Sequence, residues 1–173
     1  IGRSALTTLT TNAANTAVGG TALSANTAAN NTAVGYAALA ANTSGTENVA
    51  VGALAGDALT TGSRNTAVGY IALSAATTAS DNSAFGREAL RDNTSGNSNT
   101  AIGKEAMKLN TTGVENTAVG HHALNVNTSG GNNTAIGRLA LVLNTTGSLN
   151  TAVGVAVLDA NTSGASNTGL GSA

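Results

Sequence analysis

The chain has 173 residues, a formal net charge of −1, 9% charged and 2% aromatic side chains, and no Pro, Cys or Trp. Ala, Thr, Gly and Asn supply 106 of the 173 residues, whereas an ordinary domain carries about 25% charged residues alone. Excluded at once are a disulfide framework or thiolate metal site, a basic or stacking nucleic-acid surface, and a membrane-inserted span, since no apolar run approaches ~18 residues. No secretory n-region/h-region pattern is present either.

Internal repetition organises everything else. Glycines fall at Gly2, Gly19, Gly35, Gly52, Gly69, Gly86, Gly103, Gly120, Gly137, Gly154 and Gly171, stepping by 17 residues except for one step of 16 after Gly19. Ten copies of one unit begin at Asn15, Asn31, Asn48, Asn65, Asn82, Asn99, Asn116, Asn133, Asn150 and Asn167. With that Asn as position one, position two is mostly Thr, position three is Ala (Gly169 excepted), and position five is the Gly. Position four is the large apolar one: Val18, Val34, Val51, Val68, Phe85, Ile102, Val119, Ile136, Val153 and Leu170. Position eight is Ala until Val157, and position nine is Leu or Met107 with Gly56 the exception. Positions twelve to fifteen usually read Asn-Thr-Ser/Thr-Gly and end in the turn glycines Gly45, Gly62, Gly96, Gly113, Gly130, Gly147 and Gly164.

A 17-residue unit is too short for a helical repeat, and each unit is broken by Gly and an Asn-Thr-Ser-Gly cluster. Thr-Ala-Val reads as a short strand. Asn-Thr-Ser-Gly is turn chemistry in which Gly supplies positive φ; Asn12 and Ala79 replace that Gly, and Ala79 is expected to be strained. The expected fold is all-β: a parallel β-solenoid (β-roll) of ten 17-residue coils, roughly 48 Å long at ~4.8 Å per coil, with strands at positions two to four and seven to nine. A disordered chain and a stack of β-hairpins are the rival readings. The 16-residue step is expected to delete a turn residue, because the strings on both sides of it are intact.

Position four, as the large apolar site, is expected to point inward and form the core ladder. Position two then shares its face, and position three points outward. A small apolar residue kept on an outer face implies packing against something, most economically identical chains around an axis. The interface is then the Ala of position three or eight and the Leu of position nine.

Asn-Thr-Ala-Val-Gly and Asn-Thr-Ala-Ile-Gly resemble the Ser-Val-Ala-Ile-Gly-type repeats of trimeric autotransporter adhesin heads. The fuller pattern is similar to arrays in bacteriophage tail-fibre and bacterial surface proteins. The resemblance covers all 173 residues. It implies a trimeric parallel β-roll, extracellular, on a cell surface or virion appendage, although the unit here is longer than that of the adhesin head. No stalk, anchor or chaperone domain lies within these residues and neither end carries a polar cap, so residues 1–173 are expected to be a single repeat array, an excerpt of a longer solenoid.

Chemistry-bearing residues are few. His121 and His122 are adjacent and would point to opposite faces of a strand, which disfavours joint metal ligation. No metal or cofactor is expected. Glu88 and Glu105 lie 17 residues apart and would stack, as would Arg87 and Lys104 beside them; the stripe is either a charged solvated face, a receptor contact or, least simply, a catalytic carboxylate pair. Eight Asn-x-Ser/Thr sequons follow from the turn motif. The expected function is a non-enzymatic fibre segment, homotrimeric, that can present a surface to a cell-surface glycan or protein receptor. The alternatives are an ice-binding solenoid using Thr ladders at positions two, thirteen and fourteen, and a polysaccharide-degrading solenoid.

Overall fold

A computed structural model describes residues 1–8 and 14–172; Asn12 lies outside the described residues. Among the described residues, ten three-residue strands run in chain order: β1 Thr16–Val18, β2 Thr32–Val34, β3 Val49–Val51, β4 Thr66–Val68, β5 Ser83–Phe85, β6 Thr100–Ile102, β7 Thr117–Val119, β8 Thr134–Ile136, β9 Thr151–Val153 and β10 Thr168–Leu170. They form one parallel sheet in sequence order. Each strand pairs with the equivalent strand of the next coil, Ala101 opposite Ala118 and Ile102 opposite Val119. The chain is thus a parallel β-solenoid, and no described residue is helical. The short step obeys the same register, Val18 opposite Val34. Its missing residue lies between Thr27, which still bonds to Thr43 O, and Ala28. Asn26 Nδ2 reaches the carbonyl of Ala28, two residues on, where Asn42 Nδ2 reaches that of Gly45, three residues on.

The strands face the other way from the sequence expectation. Position three is the buried residue of every strand from β1 to β9, and positions two and four face out. Val18 is 40% exposed, Phe85 40% and Ile102 43%. The ladder Val18, Val34, Val51, Val68, Phe85, Ile102, Val119, Ile136, Val153 and Leu170 is therefore an outer rank, not the core. The reason is volume. A 17-residue coil has room for one rank of large side chains, and position nine supplies it through Leu23, Leu39, Leu73, Leu90, Met107, Leu124 and Leu141, all at most 1% exposed. The facing strand can then contribute only methyl groups, Ala101 and Ala118 among them, with the position-eight Ala beside them. Because the Ala and Leu ranks are consumed inside their own chain, they cannot form an interface between chains.

Positions seven to nine are not a second strand. In every coil from Asn15 to Ser166, positions seven, nine and seventeen hold positive φ, as in Glu105 (58°), Met107 (48°) and Glu115 (58°). Single left-handed residues of this kind cost on the order of 1–3 kcal/mol each. They persist because their amides bond to neighbouring coils: Glu105 N–H donates to Arg87 O at 2.9 Å and Met107 N–H to Ala123 O at 3.0 Å. They turn the chain sharply enough to close a narrow coil.

Position five needs Gly because its φ, 131° at Gly103, is closed to other residues and because a Cβ would strike the next coil's backbone. The turn glycines are different: none of the seven has positive φ. At Gly113 a Cβ would collide with Asn110 Oδ1 and the Gly130 carbonyl. Ala79 takes this place at ordinary φ, so the expected strain is absent, and its coil carries Ala76 where the colliding Asn would be.

Two further exceptions also occur as pairs. Gly56 leaves position nine empty and Leu59 fills that space from position twelve, since a Cβ on Gly56 would sit 3.1 Å from Leu59 Cδ1. Val157 enlarges position eight, and Gly169 yields, its Cβ position lying 2.6 Å from Val157 Cγ1. A test is Gly56→Leu with Leu59→Asn. Each single change is expected to destabilise, by overpacking or by cavity formation, on the order of 1–3 kcal/mol. The double variant should recover most of the loss in urea denaturation; additive losses would show that the two sites do not share one space.

Candidate functional site

Two ladders of buried Asn hold the coils together, and sequence reasoning assigned the first of them no role. Position-one Asn is buried from Asn31 to Asn150. Asn116 accepts at Oδ1 from the Asn133 backbone N–H (2.9 Å) and from Asn133 Nδ2 (3.0 Å). Its own Nδ2 donates to Asn99 Oδ1 (3.2 Å) and across the coil to Gly130 O (2.9 Å). Position-twelve Asn forms the second ladder, Asn110 Nδ2 to Asn93 Oδ1 at 2.8 Å and Asn127 Nδ2 to Asn110 Oδ1 at 2.7 Å. Leu59 interrupts that ladder, and Asn42 Oδ1 is left buried without a hydrogen-bond partner. Thr at position thirteen adds a third chain of bonds: the hydroxyls of Thr94, Thr111, Thr128 and Thr145 each donate to the carbonyl of the Thr one coil on.

The outer face of the sheet carries two parallel ranks. One is Thr, with Val49 and Ser83 as exceptions; the other is the Val/Ile/Phe/Leu rank. Among the described residues no position-two hydroxyl bonds to the protein, unlike the position-thirteen hydroxyls. The second rank presents apolar side chains along the stack, Val18, Val51, Phe85, Ile102 and Ile136 among its exposed members. Patches of that kind mark interaction surfaces.

The contact stripe is brought together where the sequence placed it. Glu88 and Glu105 stack at position seven, with Arg87 and Lys104 beside them. Glu88 is buried, 6% exposed. Lys108 Nζ lies 2.8 Å from its Oε2 and Arg91 Nη1 3.2 Å from the same atom, while Arg87 takes Oε1. Lys108 also bridges to Glu105 at 3.2 Å, and Lys104 lies 3.3 Å from Glu105. The hydrogen bond from Lys108, aided by Arg87 and opposed by burial, holds the Glu88 carboxyl down at about 2. At Glu105 burial is the largest influence and raises the value, but Lys108 and Lys104 outweigh it and the net shift is downward. Both carboxylates are thus held below the ordinary carboxylate range, whereas the acid of a glycosidase pair needs a raised value.

No protein-family model, curated protein or solved structure matches this chain. The fold class therefore rests on the coil geometry itself, which is that of a parallel β-solenoid and is compatible with β-roll repeats.

The Glu88 shift has a defined pH consequence. Its folded value lies below its ordinary 4.5, so its contribution is complete above about 4.5 and is lost as pH falls toward about 2. The melting temperature of the wild type is expected to drop through that window by more than that of Glu88→Gln, which should already be lowered at pH 7. Parallel pH profiles for the two proteins would contradict the assignment.

Proposed function

We propose that the chain is a rigid fibre segment of an extracellular appendage, on a cell surface or a virion, built from three copies aligned along their solenoid axes. The supporting observation is the outer Thr/Val face. It is unbroken from β1 to β10 and it exposes large apolar side chains, and a partner chain would bury them. The interface assigned here is that face, with Ile102 and Val119 near its middle, in place of the Ala and Leu positions that lie inside each coil. Burial returns roughly 25 cal/mol per Å² of apolar surface, a term that the thin Ala/Leu interior of one chain supplies sparingly. The role is structural and not catalytic, in keeping with a charged stripe whose carboxylates are neutralised by neighbours. Cysteine placement tests it directly, because the chain has no Cys of its own. Val119→Cys is expected to cross-link between chains on mild oxidation, and Thr112→Cys, on the turn edge, is not. Equal cross-linking at both sites, or at neither, would refute the assigned interface.

One observation favours a second reading. The position-two Thr hydroxyls point outward in a regular row, as an ice-binding face requires, whereas those of position thirteen are committed to the next coil. Against it, the neighbouring rank steps from Val68 to Phe85 to Ile102, which breaks the flat plane a lattice would match. Thermal hysteresis from the purified chain would select this reading; its absence is expected.

A further inference from the structure

We infer that the corner row formed by Arg87, Lys104, His121 and Arg138 binds a linear acidic polysaccharide. These four residues occupy position six of consecutive coils, and all four are exposed. Coil stacking fixes successive members one strand spacing apart, ~4.8 Å, about the length of one pyranose unit. A polyuronate carries one carboxylate per unit, so its groups and the row share a period, met by Arg87, Lys104 and Arg138 as cations and by the His121 ring as a hydrogen-bonding member.

The chemistry behind the row supports an anion in front of it. No described coil places a carboxylate at position six. The nearest acids, Glu88 and Glu105, pair with the row members Arg87 and Lys104 but are shared with Lys108, which lies 2.8 Å from the first and 3.2 Å from the second, so the pairs leave cationic charge over. Across the stripe, Arg87, Arg91, Lys104, Lys108 and Arg138 face only Glu88, Asp92 and Glu105, a net +2 on a chain whose total is −1. Tyr70, half exposed, takes the next place in the row and offers a ring face for a sugar. A nucleic acid strand would want large aromatics interleaved between the cations as stacking platforms, and here Tyr70 sits at the end of the row and the imidazole of His121 is the one ring between Arg87 and Arg138.

The inference needs coil stacking alone and stands whether or not the Thr/Val face is covered by a partner chain. The test measures retention on immobilised polygalacturonate, with neutral dextran and single-stranded DNA as competitors, and sedimentation of the same samples. Wild type is expected to bind polygalacturonate, to be released by NaCl and to ignore dextran. Arg87→Gln/Lys104→Gln/Arg138→Gln is expected to bind about tenfold more weakly, three exposed ion contacts of middling strength together being worth that order. Arg64→Gln, which removes charge at position seventeen and away from the row, should bind as wild type does. Circular dichroism and the melting temperature establish that the triple variant is folded; were it not, Arg138→Gln alone, whose side chain has no ion pair among the described residues, replaces it and should weaken binding measurably. Unchanged binding by a folded variant, equal loss in both charge variants, or displacement by DNA at lower concentration than by free polygalacturonate would overturn the assignment. A change in sedimentation without a change in retention would count against the fibre proposal and leave this one standing.

Discussion

Asn116→Ala is expected to destabilise the stack by about 2–4 kcal/mol, a large effect for removing one uncharged side chain. The Asn133 backbone N–H would lose the Oδ1 that accepts it at 2.9 Å, and Asn133 is buried. An orphaned buried donor costs about 1–3 kcal/mol and each further lost bond about 1 kcal/mol net. The loss includes the bond to Gly130 O, although Gly130 O keeps Asn127 Nδ2 at 2.9 Å. Asn116→Asp should be worse. A carboxylate cannot donate to Gly130 O or Asn99 Oδ1, and it buries a charge. Thr112→Ala, on the exposed turn, is expected to stay within about 0.5 kcal/mol of wild type. Urea denaturation measures all three, and hydrogen exchange at the Asn133 amide locates the damage. Indifference to Asn116→Ala would mean that the ladder does not hold the coils.

The second large effect concerns assembly. Ile102→Asp/Val119→Asp is expected to yield monomers with an intact sheet, because both side chains lie on the outer face where an aspartate meets water in the free chain and a partner's apolar rank in the assembly. Burying two unpaired carboxylates costs several kcal/mol, enough to dissociate an interface built from short apolar ranks. Ala101→Asp/Ala118→Asp makes the contrasting case. Those alanines are fully buried in their own coils, so the substitution should abolish folding and with it the circular dichroism of the sheet. The pair of experiments separates an outer-face interface from one made by the alanines.

The solenoid itself was readable from the glycine step, since a constant 17-residue period with turn chemistry leaves few other architectures. The in-register pairing of Val18 with Val34 across the short step was readable too, because a deletion in a turn spares the strands. The facing of the strands was not. Alternation says that positions two and four share a side, but which side depends on how much volume the coil encloses. Only the closed coil reveals that Leu90 and Leu124 already fill it. Size at one position is a poor guide when the opposing wall is unknown. The turn glycines were located correctly and explained wrongly: Gly113 is required by the closeness of Asn110 and Gly130, not by its φ. The exceptions Gly56, Ala79, Val157 and Gly169 looked like isolated lapses in the repeat. Three-dimensional contact pairs them with Leu59, Ala76 and each other, at spacings no periodicity reports. The position-one Asn stood out by its constancy among the copies, yet a ladder of side-chain bonds running along the stack becomes visible only once the coils are placed one above another.

Sedimentation equilibrium of the wild-type chain tests the central proposal most directly. A species of three times the 16.6 kDa chain mass, converted to single chains by Ile102→Asp/Val119→Asp with the sheet retained, is the expected result. A wild type that sediments as a single 16.6 kDa chain at every accessible concentration would contradict it.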